Sequence, residues 1–92
     1  MTSFFTVIVE HGGGTYISQV NAQGPSEALT AWISAQSDSD LSSWKLDRIE
    51  MVELFAKDSP HTLVGLQNAW CMSGSLSNGL VLANIIKTVP AD

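Results

Sequence analysis

With 92 residues, the chain is long enough for one domain and too short for a catalytic domain joined to a substrate domain, so we predict a single domain over 1–92. Hydrophobic residues make up 45% of the sequence and charged residues only 14%, which excludes a disordered chain and leaves apolar surface for contact with another protein. The net charge is −5 and the four basic residues are scattered, which argues against nucleic acid or an anionic membrane as a partner and favours a basic protein.

Two strands joined by a glycine turn are predicted at the start of the chain. Between Phe4 and Val9, alternate side chains point to opposite faces, and both sets suit a strand that is central or covered on both sides. The glycines from Gly12 to Gly14 adopt positive φ at low cost, as a hairpin loop requires. The second strand, Thr15 to Ala22, is more polar and is expected nearer an edge of the sheet.

A helix is predicted directly after this hairpin. Gly24 occupies the N-cap position, Pro25 the first helical position and Glu27 the first turn, where a carboxylate favours the positive end of the helix. Four apolar residues recur at helical spacing and predict the face that packs across the hairpin: Ala28, Leu29, Trp32 and Ile33.

The middle of the chain, 41–57, has two interpretations. The polar segment from Ser37 to Asp40 can be a loop and also the cap of a second helix that begins near Leu41. The apolar residues that follow fit helical spacing, yet Ile49 to Leu54 also alternates as a strand does. Composition favours the helix, and the strand stays open as an alternative.

Two further strands are predicted near the end, Thr62 to Met72 and Leu80 to Val89, on either side of a turn at 73–79. Asn78-Gly79 is a strong turn pair. The element order is therefore ββααββ. This order predicts a two-layer α+β fold, with an antiparallel sheet of about four strands and one or two helices on one face.

Few side chains are candidates for chemistry. Cys71 is the only cysteine, so no intramolecular disulfide or zinc finger can form, and a cytoplasmic location is the default expectation. A thiolate–imidazole pair of Cys71 with His61 or His11 needs hydrogen-bond contact, and a lone cysteine in an apolar strand is more often a small buried hydrophobe. Neither histidine has the spacing of a metal motif. We predict no catalytic residue, no metal site and no cofactor.

An acidic run and one tryptophan are the predicted partner-binding residues. Asp47, Glu50 and Glu53 follow one another at three-residue intervals and would line one face of a helix. Such a face is usually only solvated, and the functional alternative is a patch that recognises Arg and Lys on a basic partner. The three tryptophans fit core packing, but indoles also anchor interfaces, and we select Trp44, beside the polar break, for assembly.

The first third of the chain resembles the opening of the HicB-type antitoxins. The residues that carry the resemblance are Phe5-Thr6-Val7, Glu10, Gly13-Gly14, Tyr16, Val20, Pro25 and Glu27-Ala28-Leu29. Here Val20 passes almost directly to Gly24, where that family has a third strand. The family has a partial RNase H-like fold, and the resemblance implies a small acidic protein that neutralises a basic toxin by direct contact.

We therefore predict a non-enzymatic protein-interaction domain that forms a homodimer, with toxin neutralisation or immunity as its leading specific role. Two alternatives stay open. One is a small-ligand binder or an enzyme that uses Cys71, His11 or His61 in a cleft, which fast reaction of the thiol with a reagent would favour. The other is a structural subunit of a homo-oligomer, which would show a concentration-dependent melting temperature without a foreign partner.

Overall fold

A computed structural model describes residues 2–90 as one antiparallel sheet with three helices on one of its faces. In chain order the elements are β1 (Ser3–His11), β2 (Gly14–Ala22), α1 (Pro25–Ala35), α2 (Asp38–Trp44), α3 (Arg48–Lys57), β3 (His61–Thr62), β4 (Ala69–Leu76) and β5 (Gly79–Thr88). The strand order across the sheet is β2-β1-β5-β4-β3. The predicted α+β class is confirmed, with five strands where about four were expected and three helices where one or two were expected.

Strand β1 lies inside the sheet, between β2 and β5. Its side chains alternate between two environments: Phe5, Val7 and Val9 are at most 2% exposed, whereas Phe4 and Ile8 on the opposite face are only half-buried. Strand β2 is at the edge, as its polar composition predicts. The prediction that β1 is central or covered on both sides is confirmed in its first form: β1 is an interior strand, and within residues 2–90 the helices cover only one face of the sheet.

Helix α1 begins as predicted, at Pro25 after the N-cap Gly24. The four residues of its predicted apolar stripe are at most 1% exposed and join the core with the inner face of the sheet. Burial of this stripe is the main contribution of α1 to stability, because a fully buried large apolar side chain contributes about 1.5 to 3 kcal/mol.

Segment 41–57 is helical, and a sharp turn interrupts it. Ser37 caps α2 with its hydroxyl, and α2 ends at Lys45, whose φ of 58° is left-handed. Leu46 between the two helices is 4% exposed, so the turn is held to the core. Helix α3 begins after Asp47, whose carboxylate caps it. The strand alternative for this segment is therefore excluded.

The boundaries predicted for the last two strands need correction. The predicted strand Thr62 to Met72 is broken, because Gly65 (φ 82°) and Asn68 (φ 59°) adopt left-handed conformations that end an extended segment. Strand β3 therefore has only two residues, and β4 starts at Ala69.

The predicted turn at 73–79 is also too long, because β4 continues through its small residues to Leu76. Gly74 is needed there for packing. The methyl groups of Leu54 on α3 occupy the space that a Cβ at Gly74 would take, with Cδ2 2.8 Å from that position. Gly74, which the sequence predicts to lie in a turn, is thus a point where α3 packs directly on the sheet.

Arg48 connects the ends of the three helices. Helix α1 stops at Gln36 in an extended conformation, without the left-handed residue that commonly satisfies the last carbonyls of a helix. Arg48 supplies the missing donors: Nη1 donates to the Ile33 carbonyl at 2.6 Å and Nη2 to the Gln36 carbonyl at 2.7 Å. Nη2 also lies 2.9 Å from Oδ1 of Asp38, at the start of α2. The planar guanidinium fork can make these bonds together.

We expect Arg48→Met to lower the free energy of unfolding by about 2 to 3 kcal/mol, because two carbonyls lose a charged donor. Arg48→Lys should restore only part of the loss, since an ammonium group cannot fork between the same acceptors. Urea denaturation followed by circular dichroism measures both. Asp38→Asn is the control: the Asp38 side chain is 96% exposed, so losing this ion pair should change stability by less than about 0.5 kcal/mol. Equal losses in Arg48→Met and Asp38→Asn would contradict this assignment.

Candidate functional site

A cleft of about 410 Å³ opens at one end of the sheet, where the β1–β2 turn, the end of α2 and the β4–β5 turn meet. We call it the His11 cleft. Its lining residues are His11, Gly12, Tyr16, Ser43, Trp44, Lys45 and Asn78. The lining contains one lysine, one histidine and two aromatic rings, and it contains no carboxylate. This composition distinguishes the cleft from the rest of an acidic protein.

His11 is the only buried polar or charged residue between residues 2 and 90, at 5% exposed. Its Nδ1 lies 2.9 Å from the Leu80 carbonyl oxygen. A carbonyl can only accept, so Nδ1 donates to it, and in the neutral form of the ring Nε2 is then the acceptor. The hydrogen bond to β5 thus fixes both the orientation and the tautomer of the ring.

Two stacked rings form the aromatic wall of the cleft. The Tyr16 and Trp44 rings are 4.3 Å apart at their centroids and 17° from parallel, and Trp32 lies behind Trp44 at 6.2 Å. The hydroxyl end of Tyr16 folds back over Gly14 and occupies the space where a Cβ would stand. Trp44, which we selected for assembly, is half-buried and lines the cleft.

Lys45 shapes the rim of the cleft through its backbone. Its N–H donates to the Leu41 and Ser42 carbonyls and closes α2, while its own carbonyl accepts a bond of 2.8 Å from the Asn78 amide. This last bond ties the end of α2 to the β4–β5 turn. A side chain in the left-handed region is strained, so Lys45 holds a position that favours glycine or asparagine.

The predicted acidic run is divided between structural and exposed positions. Oδ1 of Asp47 accepts the Glu50 N–H at 3.0 Å as the cap of α3. Oε2 of Glu50 accepts the Ser77 N–H at 3.1 Å, which attaches α3 to the β4–β5 turn. Glu53 is exposed, and together with Glu50 and Lys57 it lines a second, smaller cleft of about 260 Å³. Trp44 lies in the other cleft, so the structure does not join it to this run.

The structure places Cys71 opposite His61 in the β3–β4 ladder, a proximity that sequence spacing could not establish. Nε2 of His61 is also 3.8 Å from Oδ1 of Asp58. However, no hydrogen bond joins the thiol to the imidazole within residues 2–90, and a cysteine nucleophile needs that contact for activation. In the same range, no group of three His, Cys, Asp or Glu side chains is arranged to hold a metal ion.

The sheet face opposite the helices is a second candidate surface, which we call the open face. Its residues follow from the strand register: Phe4, Thr6, Ile8, Glu10, Thr15, Ile17, Gln19, Asn21, His61, Ala69, Cys71, Ser73, Ser75, Leu80, Leu82, Asn84, Ile86 and Thr88. Several of its apolar side chains reach solvent, with Ile17 62% exposed, Ile86 40% and Leu82 37%. Among these described residues, Glu10 is the only one with a permanent charge, and His61 is charged only when protonated.

Polar side chains on the open face bond to one another. The Thr6 and Thr88 hydroxyl oxygens are 2.6 Å apart, and the Gln19 amide donates to Thr6 at 3.1 Å. These groups already have protein partners, so covering them would cost less than burying unpaired groups.

No protein-family model, curated protein or solved structure matches the chain. Within residues 2–90, no helix has the length and apolar character needed to cross a membrane. The resemblance to HicB-type antitoxins stays a prediction.

Lys45→Gly should raise the free energy of unfolding by about 1 kcal/mol, because glycine adopts the left-handed conformation without the penalty that a Cβ brings. Lys57→Gly is the matched control: it removes the same charge from the last turn of α3 and should lower stability by roughly 0.5 to 1 kcal/mol. Urea denaturation of both variants measures the difference. A loss of stability in both would show that the Lys45 side chain stabilises the fold.

Proposed function

We propose that this chain is a non-enzymatic protein-interaction domain that forms a homodimer and binds a basic protein through its acidic helical side. The excess of acidic over basic residues on the helical side carries the proposal, since Lys45, Arg48 and Lys57 are the only basic residues on the described helices or at their caps. Of the eight acidic residues between 2 and 90, seven lie on helices or at their caps and one lies on the open face. The seven are Glu27, Asp38, Asp40, Asp47, Glu50, Glu53 and Asp58.

A second copy of the chain is the occupant that fits the open face. The open face offers a basic partner only one carboxylate, that of Glu10. Two copies of the chain that associate through this face keep their acidic helices apart, which limits repulsion between them. Exposed apolar residues on β2 and β5, the strands on either side of β1, supply the surface whose burial favours association; they include Ile17, Leu82 and Ile86.

The size of the open face is sufficient for a dimer. Its four long strands have eight to ten residues each. At about 3.3 Å per residue and about 4.8 Å between strands, they cover roughly 600 Å² per copy. Two copies would bury about 1,200 Å², the lower end of the range for stable interfaces.

The helical side suits a basic protein. Glu53 is exposed and has no hydrogen bond or ion pair with any residue between 2 and 90, so it is free for an arginine or lysine of a partner. Glu50 beside it retains acceptor capacity beyond its bond to Ser77. Charges of one sign on a surface accelerate encounter with a partner of opposite sign, which is the main electrostatic advantage of a small acidic inhibitor. Toxin neutralisation or immunity is the role that agrees both with this acidic surface and with the resemblance to HicB-type antitoxins.

We expect Ile86→Lys to convert a dimeric protein into a monomer, because it places a charge near the middle of the open face. Sedimentation equilibrium over a range of concentrations measures the change. Ile49→Lys is the control, since Ile49 is 70% exposed on α3, away from the open face, and this variant should stay dimeric. A wild-type monomer, or a dimer that survives Ile86→Lys, would exclude this interface.

Cys71 on the open face reports on the same interface. In a dimer its thiol should react slowly with iodoacetamide, and Ile86→Lys should speed the reaction. If the wild type is a monomer and the thiol is alkylated equally fast in both proteins, the result would favour the alternative in which Cys71 and His61 act in thiol chemistry. The observation that supports this alternative is the pairing of the two residues in the β3–β4 ladder.

For the acidic side, we expect the tagged protein to recover a basic protein from its native lysate at low salt and less of it at high salt, since salt screens exposed charges. Glu53→Lys should reduce recovery several-fold. Glu27→Lys makes the same charge change on α1 and should have little effect. Recovery is read by mass spectrometry. Recovery of the chain alone, or equal losses in both variants, would count against the acidic patch on α3.

A further inference from the structure

We propose that the His11 cleft binds a small planar organic anion that carries a hydroxyl or N–H donor. This function goes beyond protein contact, because the cleft lies at the end of the sheet and needs no second chain to complete it. Three features of its lining select the ligand: an acceptor nitrogen, an aromatic wall and a single cation.

The acceptor is Nε2 of His11. Nδ1 is bonded to Leu80, and Nε2 has no partner within residues 2–90. In that range every fully enclosed side-chain nitrogen or oxygen has a hydrogen-bond partner, except Nε1 of Trp32. Because Nε2 of His11 has no partner and is not an exception of this kind, it is not fully enclosed and reaches open space. The open space that His11 lines is the cleft. His11 is 95% buried, its tautomer is fixed, and its Nε2 has no hydrogen-bond partner. It is therefore a preorganised acceptor, and a ligand that uses it must carry a donor.

The aromatic wall requires a planar ligand. Tyr16 and Trp44 are held in place by each other and by Trp32, so their rings do not have to be ordered when a ligand arrives. The Trp44 ring lies between the Tyr16 and Trp32 rings, so a ligand ring would pack against the ring edges or the remaining face of Tyr16 and would gain an aromatic contact in addition to the burial of apolar area.

The cation selects an anion. Lys45 is the only residue in the lining with a permanent charge. Its backbone is held by hydrogen bonds on both sides, because its N–H donates to the end of α2 and its carbonyl accepts from Asn78. No carboxylate is among the lining residues, and Lys45 is in neither of the two ion pairs found within residues 2–90. The volume of about 410 Å³ lies in the range of small-molecule sites, which is roughly 300 to 1,000 Å³, and leaves room for a ring and one anionic group.

The test is a titration of the full chain with 4-hydroxybenzoate, followed by amide and indole chemical shifts in nuclear magnetic resonance. We expect saturable shifts at His11, Tyr16, Trp44 and Lys45. Three analogues each remove one feature: benzoate lacks the donor, 4-hydroxybenzyl alcohol lacks the charge, and 4-hydroxycyclohexanecarboxylate lacks the planar ring. Each should bind at least about fivefold more weakly, because one contact worth about 1 kcal/mol is lost.

Two variants assign the contacts. Lys45→Gly removes the cation at a position where glycine is favoured by the backbone, so loss of folding cannot explain a loss of binding; affinity for 4-hydroxybenzoate should fall to that of the neutral analogue. His11→Asn keeps a donor to the Leu80 carbonyl and removes Nε2, so it should bind benzoate and 4-hydroxybenzoate equally. Lys57→Gln is the control and should change neither affinity.

The proposal is overturned if none of the four probes produces saturable shifts at the cleft, or if Lys45→Gly binds 4-hydroxybenzoate as the wild type does. If His11→Asn does not fold, Lys45→Gly and the analogue series decide the question without it. The outcome is independent of the homodimer and of the basic partner, because the monomeric Ile86→Lys variant should bind the probes equally well.

Discussion

Three short helices can cover only one face of a five-stranded sheet, and the rest of the structure follows from this constraint. All helical residues in the core lie against the inner face, where β1 places Phe5, Val7 and Val9. A domain of this size buries only about 60 to 65% of the surface of its unfolded chain, so its own core leaves little stability in reserve. The opposite face is nonetheless apolar at Ile17 and Ile86. A second copy on that face would provide the cover that the chain itself does not.

Side chains that bond to backbone hold the helical layer to the sheet. Arg48 joins the end of α1 to the start of α2, and Glu50 and Asn78 attach the β4–β5 turn to α3 and to the end of α2. The bonds of Arg48 to Gln36, of Glu50 to Ser77 and of Asn78 to Lys45 each satisfy a backbone group where a helix or strand ends. They position the helices in addition to the apolar contacts with the sheet. The bond from Asn78 to the Lys45 carbonyl also joins two sides of the His11 cleft, the end of α2 and the β4–β5 turn. The site is therefore a consequence of how the chain closes its helix ends.

Helices and strands with a strong local sequence pattern could be predicted from the sequence. The boundaries of the other elements depend on tertiary contacts. The N-cap and proline of α1 and the alternation of β1 are properties of neighbouring residues, so the sequence was sufficient for them. Lysine has no preference for the left-handed conformation, so nothing marked Lys45 as a break between two helices. Gly74 looks like a turn glycine until Leu54 is packed on it. For the site, His11 and Trp44 could be named from the sequence, but their convergence depends on strand register and on the turn at Lys45.

The three surfaces can operate together, because they lie on different sides of the molecule. Two copies joined through their open faces would direct their acidic helices away from each other and leave both His11 clefts at the ends of the stacked sheets. Such a dimer presents two acidic sides to a partner. If the partner is itself dimeric, the second contact becomes intramolecular and can raise the overall affinity by roughly 10² without any new contact. A modest acidic patch such as that of Glu53 would then be enough for tight binding, and dimerisation would be the step that makes the weak surface effective.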